Sequence, residues 1–148
     1  MTDGAALAGP DGAPRCPWAL STEDYVAYHD EEWGRPVHGD DALFERLSLE
    51  AFQSGLSWLT ILRRRPGFCT AFAGFRIAAV AEFTDADRER LLADAGIIRN
   101  RAKIDATLGN ARVLAGCEVG VDGHEHRTQP GGGQQGDYMP VAVAAHDE

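Results

Sequence analysis

The sequence predicts an all-α fold, and three observations lead to that prediction. Apolar residues recur at helical spacing through the middle of the chain, and helix-capping residues precede several of these stretches. No stretch shows the alternation of apolar and polar residues that is typical of a half-buried strand. Residues 15–115 are therefore expected to form one helical domain.

Composition divides the rest of the chain from this domain. Residues 1–14 are rich in Gly, Ala and Pro and are expected to be a disordered head. From residue 116 to 148 the composition changes abruptly, with a glycine-rich stretch at 131–136 and scattered histidines. This tail buries too little apolar surface to order itself, so we expect low order there.

The first three helices are predicted from caps and spacing. Ser21 is a candidate N-cap of the first helix, and Asp40 or Asp41 begins the second. Leucines within 56–62 carry the third helix, which we expect to end at Pro66 because proline lacks a backbone N–H.

The later helices have clearer signals. A short helical piece occupies 77–83, and Thr84 with Asp87 resembles a capping box for a helix over 85–93. A last helix is expected from about Asn100. Its apolar stripe consists of Ile104, Leu108, Ala111 and Leu114.

The stretch 85–114 has the shape of a helix-hairpin-helix. A tight turn with a glycine joins its two helices, and such a turn can direct backbone N–H groups at a phosphate beside a helix N-terminus. Three cations, Arg99, Arg101 and Lys103, follow the turn. Many helical hairpins contain glycine for steric reasons alone, and without other information this plain packing unit is the favoured alternative.

The charge balance does not decide whether the protein binds DNA. The formal net charge is −9, but residues 15–114 hold 13 Lys/Arg against 15 Asp/Glu, so most of the acidic excess lies at the two ends. Affinity for nucleic acid depends on where cations meet phosphates rather than on the total charge.

The sequence also favours a cytoplasmic protein without membrane contact. No apolar run approaches the roughly 20 residues of a membrane span, and residues 1–14 lack the features of a secretory signal. The three cysteines, Cys16, Cys69 and Cys117, are odd in number and widely spaced, which argues against a disulfide framework.

Five segments resemble the type I 3-methyladenine DNA glycosylases in order and spacing. They are RCPW (15–18), YVAYHDEEWG (25–34), LEAFQSGLSW (49–58), DAGIIRNRAKI (94–104) and GNAR (109–112). The resemblance implies a helix-hairpin-helix DNA glycosylase fold. It also implies that the fold is incomplete at the C-terminus, since the expected C-terminal helices are replaced by a tail that a truncation or frameshift would produce.

The implied function is base-excision repair of alkylated double-stranded DNA. Such an enzyme flips the damaged nucleotide out of the duplex and hydrolyses the N-glycosidic bond of 3-methyladenine. Methylation at N3 leaves the purine cationic, so an aromatic cage with one carboxylate suits it. The ring faces attract the charge, and the carboxylate accepts a hydrogen bond from the exocyclic amine.

The resemblance assigns roles to individual residues. Glu50 corresponds to the base-reading catalytic carboxylate, and Tyr28 and Trp58 to the two stacking faces. Other substrate-binding residues are Trp18, Tyr25 and Gln53, and the DNA-binding hairpin comprises Gly96, Ile97, Ile98, Arg99, Arg101 and Lys103. The alternative for the aromatic residues is ordinary core packing, and for Glu50 a solvated helix position.

A structural zinc ion is the cofactor that the resemblance implies. Cys16 and His29 correspond to the first two metal ligands, whereas a tetrahedral site needs four. The second pair is expected to be a His followed by a Cys near the C-terminus. The last cysteine, Cys117, precedes the tail histidines His124, His126 and His146, so only half of the site is expected.

Two other functions are open at this point. One is an inactive, truncated remnant that binds DNA without catalysis, and the other is a helical interaction protein with no nucleic-acid role. For the glycosylase we expect alkylated double-stranded DNA as the partner, no protein partner and a monomeric state.

Overall fold

The computed structural model of the protein describes residues 6–116. Within this range six α-helices are accompanied by two short 3₁₀ helices and one small hairpin, so the predicted all-α class is confirmed. The helices are α1 (Glu23–Glu31), α2 (Asp40–Gln53), α3 (Trp58–Ala71), α4 (Ile77–Ala81), α5 (Asp85–Ala93) and α6 (Arg101–Gly116). The 3₁₀ helices are Pro17–Ser21 and Ala73–Phe75.

The N-terminal segment is ordered where the sequence predicted a disordered head. Strand β1 (Leu7–Ala8) pairs antiparallel with β2 (Pro14–Arg15). The buried guanidinium of Arg15 bonds to Asp11 at 2.7 Å and to Asp30 of α1 at 2.6 Å, which ties the hairpin to the helical domain. Composition does not encode these contacts. Residues 1–5, like the predicted tail from 117 onward, lie outside the described residues.

The first helix begins one residue later than its predicted cap. The Thr22 hydroxyl accepts a hydrogen bond from the Tyr25 backbone N–H at 3.2 Å, which makes Thr22 the N-cap. The predicted cap, Ser21, instead donates to the Trp18 carbonyl at 2.8 Å, because it belongs to the preceding 3₁₀ helix.

Helix α3 does not end at Pro66, so that prediction is wrong. The helix continues to Ala71 although a proline inside a helix costs about 3 kcal/mol. The residues after the proline explain this, because Phe68 is completely buried and Ala71 nearly so. Burial of these side chains offsets the missing backbone hydrogen bond.

The core lies where α2, α3, α4 and α6 meet. Four phenylalanines fill its centre in contact with one another: Phe52, Phe68, Phe72 and Phe75. The predicted stripe of α6 joins them through Ile104, Leu108 and Ala111, but its fourth member, Leu114, is exposed. None of the helices within 6–116 has the length and apolar character of a membrane span.

The hairpin of α5 and α6 forms as predicted. Thr84 and Asp87 make the expected capping box at the start of α5, with both reciprocal hydrogen bonds present. The Asn100 side chain accepts a hydrogen bond from the Lys103 backbone N–H at 3.1 Å, which caps the start of α6.

Candidate active site

A cavity of about 560 Å³ opens between the 3₁₀ helix 17–21, α1, the end of α2 and the start of α3. All six residues assigned to the substrate pocket contribute to its wall: Trp18, Tyr25, Tyr28, Glu50, Gln53 and Trp58. The structure therefore brings together residues that are up to 40 positions apart in the sequence. Their roles in binding stay a prediction.

The cavity wall also contains two residues that the sequence analysis did not assign to the pocket: Ser21, which it gave as a helix cap, and Trp33. The indole of Trp33 lies 5.4 Å from that of Trp18 and is 54% exposed, at the rim of the cavity. Helical spacing could not reveal it, because α1 has ended and the chain turns back at Gly34, which has a φ of 73°. Its only sequence signal was its place in the segment 25–34.

The two proposed stacking faces touch each other. The ring centroids of Tyr28 and Trp58 lie 5.5 Å apart, with an angle of 55° between the ring planes. A purine between two parallel rings needs about 7 Å, twice the contact distance of about 3.5 Å. The arrangement is thus an aromatic cluster beside a cavity, and it does not have the open sandwich geometry expected from the resemblance.

Glu50 brings the carboxylate to this aromatic wall. It lies in the last turn of α2, with an exposed side chain, and no hydrogen-bond donor within residues 6–116 occupies its oxygens. Among the described residues, nothing prevents its oxygens from accepting hydrogen bonds from a ligand in the cavity.

Tyr28 is fixed from behind by an arginine that the sequence analysis missed. Arg46 donates to the Tyr28 hydroxyl at 3.1 Å and to Glu32 at 2.8 Å, and Arg65 bonds the same Glu32 at 2.7 Å. Burial raises the pKa of Tyr28, Arg46 opposes that rise, and the nearby Glu50 and Glu32 carboxylates add to it. Tyr28 is therefore a neutral phenol at physiological pH.

Two other pocket residues, Tyr25 and Gln53, form side-chain hydrogen bonds with backbone groups near the start of α3. The Tyr25 hydroxyl accepts a hydrogen bond from the Leu59 N–H at 3.0 Å, which satisfies a donor in the first turn of α3. The Gln53 amide donates to the Leu56 carbonyl at 3.3 Å and so stabilises the turn between α2 and α3. Both residues link pocket walls to each other.

The hairpin loop, which is the segment 94–100 between α5 and α6, is held in shape by hydrogen bonds from side chains of the protein. The Gly96 N–H donates to the Asp94 carboxylate at 2.7 Å, and Arg64 donates to the carbonyls of Ala95 and Ile97 at 2.8 and 3.3 Å. The Ile97 side chain is buried in the core, so its membership of the DNA-binding hairpin stays a prediction that concerns its backbone alone.

Part of the predicted DNA-binding surface is nevertheless exposed. Arg99 and Arg101 are exposed, and within residues 6–116 the one ion pair of Arg101 is a long one, 3.4 Å from Glu89. The backbone N–H groups of Ile98 and Arg99 have no acceptor within the described part of the chain. Together these groups form an electropositive edge at the start of α6.

Lys103 does not belong to that edge, which corrects its predicted role. Its ammonium group turns inward and donates to the carbonyls of Phe52, at 3.1 Å, and Ser54. Both acceptors lie at the end of α2, so this cation is withdrawn from the surface where a phosphate would bind.

The predicted metal pair is adjacent but does not form a zinc site within the described residues. The Cys16 backbone N–H donates to Nε2 of His29 at 3.4 Å, and Nδ1 of His29 lies 3.0 Å from Asp30. No group of three or more potential ligands occurs in residues 6–116, whereas a structural zinc needs four. These residues alone therefore do not fit the ion, and the tail histidines lie outside the described residues.

A model of the methyladenine glycosylase family matches residues 18–123. The chain belongs to the methyladenine glycosylase family. The match includes every residue of the pocket wall and the whole hairpin. It also extends over residues 116–123, which the sequence analysis had assigned to a tail outside the family pattern.

Individual relatives agree with this family. The DNA-3-methyladenine glycosylase 1 of Escherichia coli (strain K12) is 48% identical over 104 residues, which are 70% of this chain and 56% of that protein. A crystal structure of a 3-methyladenine DNA glycosylase I has a TM-score of 0.66 at 43% identity, over 69% of this chain and 56% of the other.

The Staphylococcus aureus 3-methyladenine DNA glycosylase I, whose structure concerns 3-methyladenine recognition, has a TM-score of 0.65 at 35% identity. That similarity covers 69% of this chain and 54% of the S. aureus chain. The chain thus spans about half the length of the relatives that it matches.

Proposed function

We propose that this protein is a DNA repair glycosylase that removes 3-methyladenine from alkylated double-stranded DNA. The proposal rests on the family and, above all, on one cavity that combines an aromatic wall with the accessible carboxylate of Glu50. Relatives of known name are DNA-3-methyladenine glycosylases, and one of them is described as recognising 3-methyladenine.

The chemistry of the cavity suits a flat cation. N3-methylated adenine carries positive charge in DNA, and aromatic faces attract such a charge while excluding water. Stacking of a base on an aromatic side chain contributes about 1–3 kcal/mol. Glu50 would accept a hydrogen bond from the exocyclic amine, which is a contact that guanine and thymine do not offer in the same place.

A base held between Tyr28 and Trp58 would require the two rings to separate. Tyr28 is 7% exposed and is held by Arg46, so its ring is fixed. Trp58 is the more exposed of the two, and its indole N–H has no hydrogen-bond partner in the described part of the chain. We therefore assign the movement to Trp58. Its ring would rotate away from Tyr28 to admit the base and would then stack on the inserted base.

The hydrolysis then needs little acid or base catalysis. Water attacks C1′ of the deoxyribose while the bond to the base breaks, and the bonding electrons pass to the purine. The purine leaves as neutral 3-methyladenine, and the proton of the attacking water passes to solvent. No general base is assigned, because Asp94 is bonded to the Gly96 N–H and Asp105 pairs with Arg88, both away from the cavity.

The DNA backbone would be held at the start of α6. The N–H groups of Ile98 and Arg99, which have no acceptor within residues 6–116, and the positive end of the helix dipole favour a phosphate there. The side chains of Arg99 and Arg101 would add attraction that weakens with salt.

Release of free 3-methyladenine from methylated duplex DNA tests this function. We expect the wild-type protein to release it and Glu50→Gln to reduce kcat/KM about 10-fold to 100-fold, since a charge-assisted hydrogen bond contributes about 1.5–3 kcal/mol. Glu82→Gln, an exposed position outside the cavity, is the matched control and should keep full activity.

Other outcomes identify the alternatives. Salt-dependent DNA binding without base release would indicate a non-catalytic DNA-binding protein. Absence of both would reject a role on DNA. Equal loss of activity in Glu50→Gln and Glu82→Gln would remove Glu50 from the site.

A further inference from the structure

Lys103 connects the hairpin to the pocket helix. It lies in the first turn of α6, yet its Nζ donates to the carbonyls of Phe52 and Ser54 on the other side of the core. No carboxylate within residues 6–116 pairs with it, and burial lowers its pKa. The ammonium group is thus committed to backbone acceptors and not to an ion pair.

The two acceptor carbonyls lie at the C-terminal end of α2, where the chain turns toward α3. Carbonyls at the end of a helix lack intrahelical partners and carry the negative end of the helix dipole, so a buried cation stabilises them. Phe52 and Ser54 flank Gln53, and Glu50 lies one turn earlier on the same helix. Ser54 leaves the helical conformation and Gly55 takes a φ of 79°, after which the chain leads to Trp58.

We propose that Lys103 is a positioning residue that fixes the turn between α2 and α3 and thereby places Glu50, Gln53 and Trp58 around the base. It is not a phosphate contact. This role rests on the glycosylase function proposed above. The start of α6 would thus have two tasks: Arg99, just before the helix, and Arg101, in its first turn, would face the DNA, while Lys103 holds the pocket.

Three variants separate positioning from phosphate binding. Lys103→Gln removes the cation, and Lys103→Arg retains a cation with several N–H donors. Arg101→Gln is the matched control on the exposed side of the same turn. For each variant we would measure the affinity for free 3-methyladenine and the affinity for undamaged duplex DNA over a range of salt concentrations. Amide hydrogen exchange at residues 53–57 would be measured as well.

We expect Lys103→Gln to bind 3-methyladenine about tenfold more weakly and to exchange amides at 53–57 about tenfold faster, since charged hydrogen bonds of this kind are lost. Its DNA affinity and salt dependence should match the wild type, and Lys103→Arg should recover base binding. Arg101→Gln should do the reverse, with weaker DNA binding and a salt slope reduced by about one.

The hydrogen-exchange result keeps the test independent of catalysis. A protein that never releases 3-methyladenine would reject the glycosylase function, and faster exchange at 53–57 in Lys103→Gln would still support the positioning role. Unchanged exchange and base affinity in that variant would overturn it. So would a reduced salt slope for DNA binding equal to that of Arg101→Gln.

The wild-type protein offers a check that needs no substitution. Lys103 is the only lysine in the sequence, so selective ¹³C labelling of lysine gives a single side-chain signal. We expect this signal to titrate below the ordinary lysine pKa and to stay in place when undamaged duplex DNA is added. A large shift on DNA addition would overturn the proposal, because it would identify a phosphate contact.

Discussion

Both the ring and the hydroxyl of Tyr28, a residue of the pocket wall, have partners that fix their positions. Its ring contacts Trp18 and Trp58, and its hydroxyl accepts a hydrogen bond from Arg46. Arg46 in turn is fixed by Glu32, which Arg65 also binds. The orientation of one aromatic wall therefore depends on a charged network that lies behind it and does not contact the ligand.

Replacement of Arg46 by Met should show this dependence. We expect the pKa of Tyr28 to rise further, because Arg46 lowers it both as a hydrogen-bond donor and through its charge. The free energy of unfolding should fall by about 1 kcal/mol, the contribution of a part-buried hydrogen bond. Ultraviolet titration of the tyrosines and chemical denaturation would measure the two effects.

Arg63→Met is the control for this prediction, because Arg63 is more than half exposed and pairs with Asp24 on the surface. It should change neither quantity appreciably. A tyrosine titration that is the same in Arg46→Met and the wild type would remove Arg46 from the network.

The lowered pKa of Asp30 predicts that the protein loses stability in acid. Hydrogen bonds from Arg15, and then from His29, lower the pKa of Asp30 to about 2, whereas an aspartate in an unfolded chain titrates near 3.9. Between these values the unfolded chain binds more protons than the folded chain. The free energy of unfolding should therefore decrease as the pH falls from about 4 to about 2.

Asp30→Asn removes this titration. We expect its stability to depend less steeply on pH over the same interval, as measured by urea denaturation at several pH values. Identical slopes in the variant and the wild type would show that the bond to Arg15 does not shift the pKa of Asp30.

Individual residues show which parts of the site could be predicted from the sequence and which could not. Glu50, Tyr28 and Trp58 were predicted to share a pocket, and the structure places them on one cavity wall. Lys103 was misassigned because sequence gives the position of a side chain on its helix but not its direction across the core. Arg46 was missed because nothing local links it to Tyr28, which lies 18 residues earlier.

Among the helices and loops, α3 and the loop between α5 and α6 are in close backbone contact at Gly67 and Gly96. A Cβ at Gly67 would lie 2.7 Å from the carbonyl oxygen of Gly96, and Arg64, one turn earlier on α3, bonds two carbonyls of the same loop. The loop that carries the exposed arginines is therefore positioned by α3, the helix that also begins with Trp58.

Two helical glycines allow a matched test of this contact. Gly67→Ala should destabilise the protein by about 1–3 kcal/mol, since the added methyl group has no room. Gly109→Ala in α6 should instead stabilise it by about 0.5–1 kcal/mol, because its Cβ would meet no atom of residues 6–116 within 4 Å and alanine favours a helix. Thermal or urea denaturation would measure both.

If both substitutions stabilise the protein to the same extent, the close approach of Gly67 and Gly96 does not exist. Weaker DNA binding by Gly67→Ala would further support α3 as the support of the loop.

The balance between local and tertiary signals explains which elements the sequence predicted well. The start of α5 followed from the local chemistry of Thr84 and Asp87, which needs no tertiary information. The end of α3 did not, because Pro66 is a strong local stop signal that burial of Phe68 and Ala71 overrides. The order of the N-terminal hairpin likewise depends on a distant partner, Asp30.

In the molecule as a whole, the pocket lies in the first half of the chain and the electropositive edge at the start of α6 in the second. Pocket residues fall between 18 and 58, and the exposed arginines follow residue 98. Side-chain contacts from Arg64 and Lys103 connect the two parts. Under the proposed function, a base would be bound in the first part while the DNA backbone is held by the second.

The most direct test of the account is to locate the base itself by NMR. With 3-methyladenine labelled with ¹³C in its methyl group, we expect intermolecular NOEs from that methyl to ring protons of Tyr28 and Trp58. A Trp58 ring that shifts on binding would fit the required opening. Saturable binding with NOEs only to residues outside the cavity would contradict the assignment of the base to this aromatic wall.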